Sequence, residues 1–199
     1  MNDWGITDRV RAMSFDTTSS NTGLTNGACV LLEEMLGVRV LSLACRHHIF
    51  ELVIGAVFKV CMGSSSAPEV LMFNRFQSRW MYIDQSSYDT GAMDDVEVAA
   101  MLVDYKESIL EFAKCQLQEA QPRDDYQEFL ELSVIFLRGV PARGICFMAP
   151  GSMHQARWMS KVIYSLKVWM FKSQFDLRPK EVKGLRDICI FSTRLYLKA

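Results

Sequence analysis

The apolar positions of this chain change their rhythm near residue 66. Before that point, short blocks alternate between strand and helix character. Residues 9–16 read as a strand. Residues 17–23 are turn chemistry throughout, because Thr, Ser and Asn side chains bond nearby backbone and resist regular structure. Residues 24–36 read as a short helix, with Thr25 as its cap and Gly37 as its stop. Residues 38–44 form a β-branched, apolar run of strand length, expected to be buried on both faces. Residues 47–62 read as a helix, with Ile49, Leu52, Val53, Ala56, Val57 and Val60 at helical spacing. Phe50, Ile54 and Phe58 fall off that stripe, so the helix is expected to be covered nearly all round. A β-α-β-α order predicts an α/β layer, with a right-handed crossover if the strands run parallel.

After residue 66 the pattern is helical to the end. Helices are predicted over 68–79, 96–120, 124–138, 152–175 and 179–197. Asp124 or Asp125 caps the third, and Pro179 opens the last at its first turn. The fourth carries the stripe Ala156, Met159, Ile163, Leu166 and Met170, in steps of three and four. Residues 84–95 and 139–151 are connectors. The expected architecture is a partial α/β segment with few strands over 1–63, then a large all-α body over 64–199, predominantly helical overall. Two or three strands do not make a sheet of usual size. Either further strands are absent from this chain or a partner completes the sheet.

Composition narrows the class. Half of the 199 residues are apolar and mean hydropathy is +0.07, enough for one substantial core and against long disorder. The first residues, Met1-Asn2-Asp3-Trp4, lack the basic and apolar regions of a signal peptide. The greasiest runs, 49–62 and 162–171, are short and contain Glu51, Lys59 and Lys167, which excludes a membrane-spanning helix. Six scattered cysteines without a C-x-x-C pair read as reduced thiols in the nucleus or cytoplasm. The net charge of −1 hides an asymmetry. Residues 84–131 hold 13 acids against 3 bases, and residues 143–199 hold 11 bases against 3 acids. The basic quarter is a candidate phosphate-facing surface; alternatively the two charged regions face each other or merely solvate.

Three groups of residues bear on chemistry. Asp16 stands at a strand end before small residues, where a carboxylate approaches a divalent ion at little steric cost. It reads equally as a turn aspartate bonding the backbone of Thr18 or Ser19. Cys45 and His48 have the spacing of two zinc ligands, but a structural zinc needs about four; Cys61 and His154 would have to supply the rest. The alternative is a buried thiol ending a strand and a histidine fixing the next turn. On the helix 152–175, Arg157, Lys161 and Lys172 share one edge, with Trp158 and Trp169 on one face. Bases beside aromatics suit nucleic-acid contact; the alternative is core tryptophans with snorkelling bases.

The run F-D-T-T-S-S-N-T-G (15–23), L-L-E-E-M-L (31–36) and V-L-S-L-A-C-R-H-H-I-F-E-L-V (40–53) resembles the central block of hAT-type DNA transposases. Asp16, Asn21 and Gly23 match the setting of that family's second catalytic aspartate. Cys45 and His48 match its C-x-x-H motif, and Glu51 departs from it. Arg79-Trp80 and Arg157-Trp158 resemble its R-W segments. The resemblance implies an RNase H-like domain interrupted by a helical insertion, DNA as a partner, and Mg²⁺ or Mn²⁺ as the ion for strand cleavage and joining. It implies one placed ligand, Asp16, of three. Asp3 and Asp8 are candidates for the first by position alone, and Glu181 is the only late glutamate. The expectation is a transposase-like chain that is catalytically incomplete by itself, its site completed by a second copy or another chain. The alternative is a co-opted DNA- or protein-binding helical module.

Overall fold

The computed structural model describes residues 5–63, 71–91, 95–151 and 157–198, of these Arg157 and Trp158 by their backbone alone. Asp3, His154, Ala156 and the expected first turns of helices 68–79 and 152–175 lie outside the described residues. The chain divides into two compact units, Met1–Val53 and Ile54–Ala199. The division falls within the helix expected over 47–62, whereas the boundary was expected between 63 and 64.

The first unit is one β-α-β crossover. Strand β1 (Ala12–Phe15) lies parallel to β2 (Leu41–Ala44), with Ala12 opposite Leu41 and Phe15 opposite Ala44. The connection carries α1 (Ser19–Thr22), a single turn within the stretch expected to be irregular, and α2 (Ala28–Leu36). Parallel neighbours need such a crossover, because a hairpin cannot join them. Gly37 stops α2 in the left-handed conformation, φ 65°, with its N–H on the Glu34 carbonyl. Thr25 does not cap α2; Gly27 stands at that position without a side-chain bond. The Gly27 amide donates to the Gly23 carbonyl at 2.9 Å, and a Cβ on Gly27 would sit 2.4 Å from that oxygen. Only glycine permits so close a backbone approach.

One expectation is corrected here. Residues 38–44 were expected to be buried on both faces, yet all four β2 residues are exposed, Leu41 at 68% and Leu43 at 52%. The apolar run signals what the strand can bury. Burial itself requires a layer on each face, and a two-stranded sheet with two open edges does not supply one.

Helix α3 (Arg46–Met62) leaves β2 and continues into the second unit. Its stripe is corrected as well. Ile54 and Phe58 are the buried positions, while Ile49, Leu52, Val53 and Val60 are exposed. The helix is covered along one narrow line rather than all round, because its contact is made by the large ring of Phe58, 5.7 Å from that of Phe73.

The described residues of the second unit contain helices and no strand. They are α4 (Leu71–Arg79), α5 (Val96–Leu102), α6 (Lys106–Gln116), α7 (Asp124–Phe136), α8 (Arg157–Met170) and α9 (Pro179–Arg194). The single helix expected over 96–120 is two, turning at Val103–Tyr105, where no glycine or proline announces the break. Arg123 rather than an aspartate stands at the N-cap of α7, and its guanidinium holds buried Asp125 at 2.9 and 2.7 Å. Pro179 opens α9 as expected, and Glu181 completes a capping box with Arg178.

Helix α8 is the axis of this unit, with α4, α7 and α9 packed against it. Residues 162–171 are buried without interruption, Ser165 and Lys167 included. A helix enclosed on every side buries its polar positions too; Lys167 finds Glu128 and the Met148 carbonyl, whereas Ser165 Oγ has no hydrogen-bond partner among the described residues. No helix among the described residues is long and apolar enough to cross a membrane.

Candidate functional site

The parallel register fixes the candidate site. Phe15 and Ala44 are partners, so the next residues, Asp16 and Cys45, emerge side by side at the carboxyl edge of the sheet. The Cys45 amide donates to the Phe15 carbonyl at 2.7 Å and extends the ladder by one bond. The Cys45 carbonyl accepts from Ile49 N–H at 3.1 Å and starts α3. One residue thus turns strand into helix and sets His48 above the same edge. Ligands of open α/β sheets bind at such carboxyl ends.

Asp16 is tightly oriented. Its Oδ1 accepts from Thr18 N–H at 3.0 Å, Thr18 Oγ1 at 2.5 Å and Asn21 Nδ2 at 2.7 Å. The Thr18 hydroxyl, then the Thr18 amide and Asn21, hold its carboxyl below the usual aspartate range, with a smaller contribution from the His48 charge. The loop closes because Gly23 donates its N–H to Ser19 O at 2.9 Å, and a Cβ there would meet that oxygen at 2.8 Å. Asp16, Asn21, Gly23, Cys45 and His48, singled out in the sequence, therefore belong to one edge.

Glu51 is the addition. Its Oε2 lies 3.8 Å from His48 Nδ1, one helical turn along α3. The sequence treated Glu51 as a departure from a motif; its i+3 spacing from His48 was the available signal.

A carboxylate has about four lone-pair positions, so the three bonds on Oδ1 leave Asp16 some capacity to bind an ion. A two-ion centre needs more. No three His, Cys, Asp or Glu side chains converge on an ion site among the described residues. Asp8 is on the wrong edge: it precedes β1, and four strand residues alone span about 13 Å. Asp84 is a turn aspartate whose Oδ1 accepts from the Ser86 amide and hydroxyl at 2.9 and 2.6 Å. Glu181 is paired with Arg75 at 3.3 Å and Arg178 at 2.8 Å. The described residues do not assemble a two-metal centre, nor a four-ligand zinc at Cys45 and His48; Asp3 and His154 lie outside them.

Part of the basic region is matched by acids. Lys172 lies 3.2 Å from Asp89, with its Nζ 4.7 Å from the centre of the Trp169 ring. Arg143 meets Glu131 at 2.5 Å, and Arg186 meets Glu97 at 2.9 Å and Asp95 at 3.6 Å. Lys161 is half-buried, its Nζ 5.7 Å from the Phe58 ring. Trp169 is fully buried, beside Phe136. Trp80 joins Phe76 and Phe171 in an aromatic cluster. The backbones of Arg157 and Trp158 open α8; their side chains are outside the described set.

The pair that sequence reasoning missed is Lys167 with Glu128, in direct ion contact at 1% and 3% exposure. Lys167 Nζ also donates to the Met148 carbonyl at 2.6 Å. Burial pushes the Glu128 carboxyl up and the Lys167 amine down, and each partner's charge opposes that.

No family model, no curated protein and no solved structure matches the chain.

Proposed function

We propose that this is a hAT transposase-like protein, related to enzymes that cut and join DNA strands, and catalytically incomplete as this chain. One observation carries the reading: a parallel β-α-β unit sets Asp16 at the carboxyl end of β1, directly beside the Cys45–His48 segment at the end of β2. That is the relation the two motifs require if they belong to one RNase H-like edge. The chemistry of such an edge uses divalent ions held by several carboxylates. Asp16 is a single oriented carboxylate, so no cleavage step is assigned to this chain.

The test is a plasmid-nicking assay in Mg²⁺ or Mn²⁺. The purified chain is expected to leave supercoiled DNA intact. Turnover that disappears in Asp16→Ala would overturn the incompleteness. A salt titration that finds no DNA binding at about 50 mM salt would remove the relation to DNA.

A second reading, a binding module without enzymatic activity, is favoured by the three donors on Asp16 Oδ1. That bonding makes the residue a turn aspartate whether or not an ion ever meets it. An Asp16→Asn variant that binds DNA or a protein partner as the wild type does would support it.

A further inference from the structure

We propose that Lys172 and Arg186 form a contact surface for a nucleic-acid phosphate backbone, and that the chain's own acidic segment holds this surface covered. The proposal rests on the reading above that DNA is the partner.

The cover is built, not incidental. Residues 84–89 lie along the end of α8. Asp84 N–H donates to Gln174 Oε1 at 2.9 Å, and Gln174 Nε2 donates back to the Asp84 carbonyl at 2.9 Å and to the Ser87 carbonyl. Asp89 N–H donates to the Met170 carbonyl at 2.6 Å, one of the carbonyls that a helix end leaves open. Asp89 Oδ2 accepts from Ser173 N–H at 3.3 Å and faces Lys172 at 3.2 Å. Further along, Asp95 and Glu97 take Arg186.

The two cations share a neighbourhood. Lys172 follows the end of α8, Arg186 lies on α9, and these two helices pack against each other. Their donors are also poorly used. Lys172 Nζ and Arg186 Nε are shielded from solvent, yet neither has a well-directed hydrogen bond among the described residues. Carboxylates supply charge to both without meeting these N–H groups. A phosphate presents more acceptor oxygens and forms charge-assisted bonds of the kind both cations make readily.

Glu97 is 69% exposed and Asp89 23%. The Glu97 arm is weak and screened by salt, so a polyanion competes with it first; Lys172, Arg186 and Asp95 are 17–19% exposed, and their pairs give way only as the acidic segment moves. The surrounding sequence supplies the field: 11 bases against 3 acids over residues 143–199. Once Asp89, Asp95 and Glu97 are displaced, Lys172 and Arg186 lose their counter-charges.

The experiment uses the full chain with a mixed-sequence 20-base-pair duplex, read by fluorescence anisotropy across salt. The unmasking variant is Asp89→Asn with Asp95→Asn and Glu97→Gln. Asn keeps the oxygen that Ser173 and the first turn of α5 need. Glu97→Gln alone, at an exposed side chain, serves as a second variant that folds. The expected result is binding about tenfold tighter than wild type at about 50 mM salt, with a log–log slope steeper by about 2. Adding Lys172→Ala and Arg186→Ala should abolish the gain. Equal binding by wild type and both unmasking variants, or a gain that survives the two alanines, overturns the cover and leaves the DNA reading standing. Stronger retention on heparin by the unmasking variant without duplex binding overturns the DNA reading and keeps the cover. A tight gain on a protein partner in place of the duplex overturns the assigned occupant.

Discussion

The Lys167–Glu128 pair is the most demanding arrangement at the scale of single residues. Two charges at 1% and 3% exposure have left water for a helical core. Glu128 lacks a well-directed hydrogen bond on either oxygen among the described residues, so the ion contact with Lys167 is its compensation. Removing one partner of such a pair strands the other charge, at a cost of about 3–5 kcal/mol, whereas replacing both with apolar groups is often neutral or stabilising. Lys167→Met should therefore lower unfolding stability by about 3–5 kcal/mol in urea titration, and Lys167→Met with Glu128→Leu should recover most of it. Additive losses in the double variant would show that the residues act through separate partners. Lys167 was visible in the sequence only as a charge inside an apolar run. Nothing in residues 162–171 names Glu128, some forty positions earlier. Asp16 was more legible, because its partners Thr18 and Asn21 are local, and local bonds are written in adjacent residues.

At the scale of elements, α3 and α9 approach closely at Gly184. A Cβ on Gly184 would stand 2.3 Å from Met62 Sδ and 2.7 Å from the Cys61 carbonyl oxygen. The methionine end can move; the carbonyl belongs to a helix and cannot move without the helix. Gly184→Ala is expected to destabilise by about 1–3 kcal/mol, the usual cost of overpacking, measured by the shift of the chemical-unfolding midpoint. An unchanged midpoint would mean that the α3 end yields freely. A lone glycine within a helical pattern gave no warning of this role, since intrinsic propensity merely counts it as unfavourable there. Helix ends were better marked. Gly37 past α2 and Pro179 at the start of α9 act through their own backbone angles, whatever surrounds them. The stripe of α3 was misread for the converse reason: periodicity shows which sides of a helix are apolar, while the neighbours decide which one is used.

At the scale of the whole molecule, the two units differ in kind. The large buried side chains belong to Ile54–Ala199, while Leu24, Leu31, Met35, Leu41 and Leu43 of the first unit are exposed. Opening free energies follow buried apolar contact. Amide hydrogen exchange should therefore find β1 and β2 exchanging through local opening, well below the global stability, and α7 and α8 exchanging only with global unfolding. Equal protection in β2 and α8 would contradict this. What the sequence by itself determined is everything decided over a few neighbouring residues: the β-α-β order, the turn chemistry around Asp16, the helical character after residue 66, and several helix stops. Tertiary structure alone decided what depends on distant partners. The parallel pairing brought Asp16 beside Cys45; enclosure of α8 buried Lys167 with Glu128; and folding set the acids of 84–131 against the bases of the last quarter. Charge totals fix how many cations a chain has. Only the packing of distant segments fixes which of them still face water, because an ion pair forms wherever folding brings two side chains within a few ångströms.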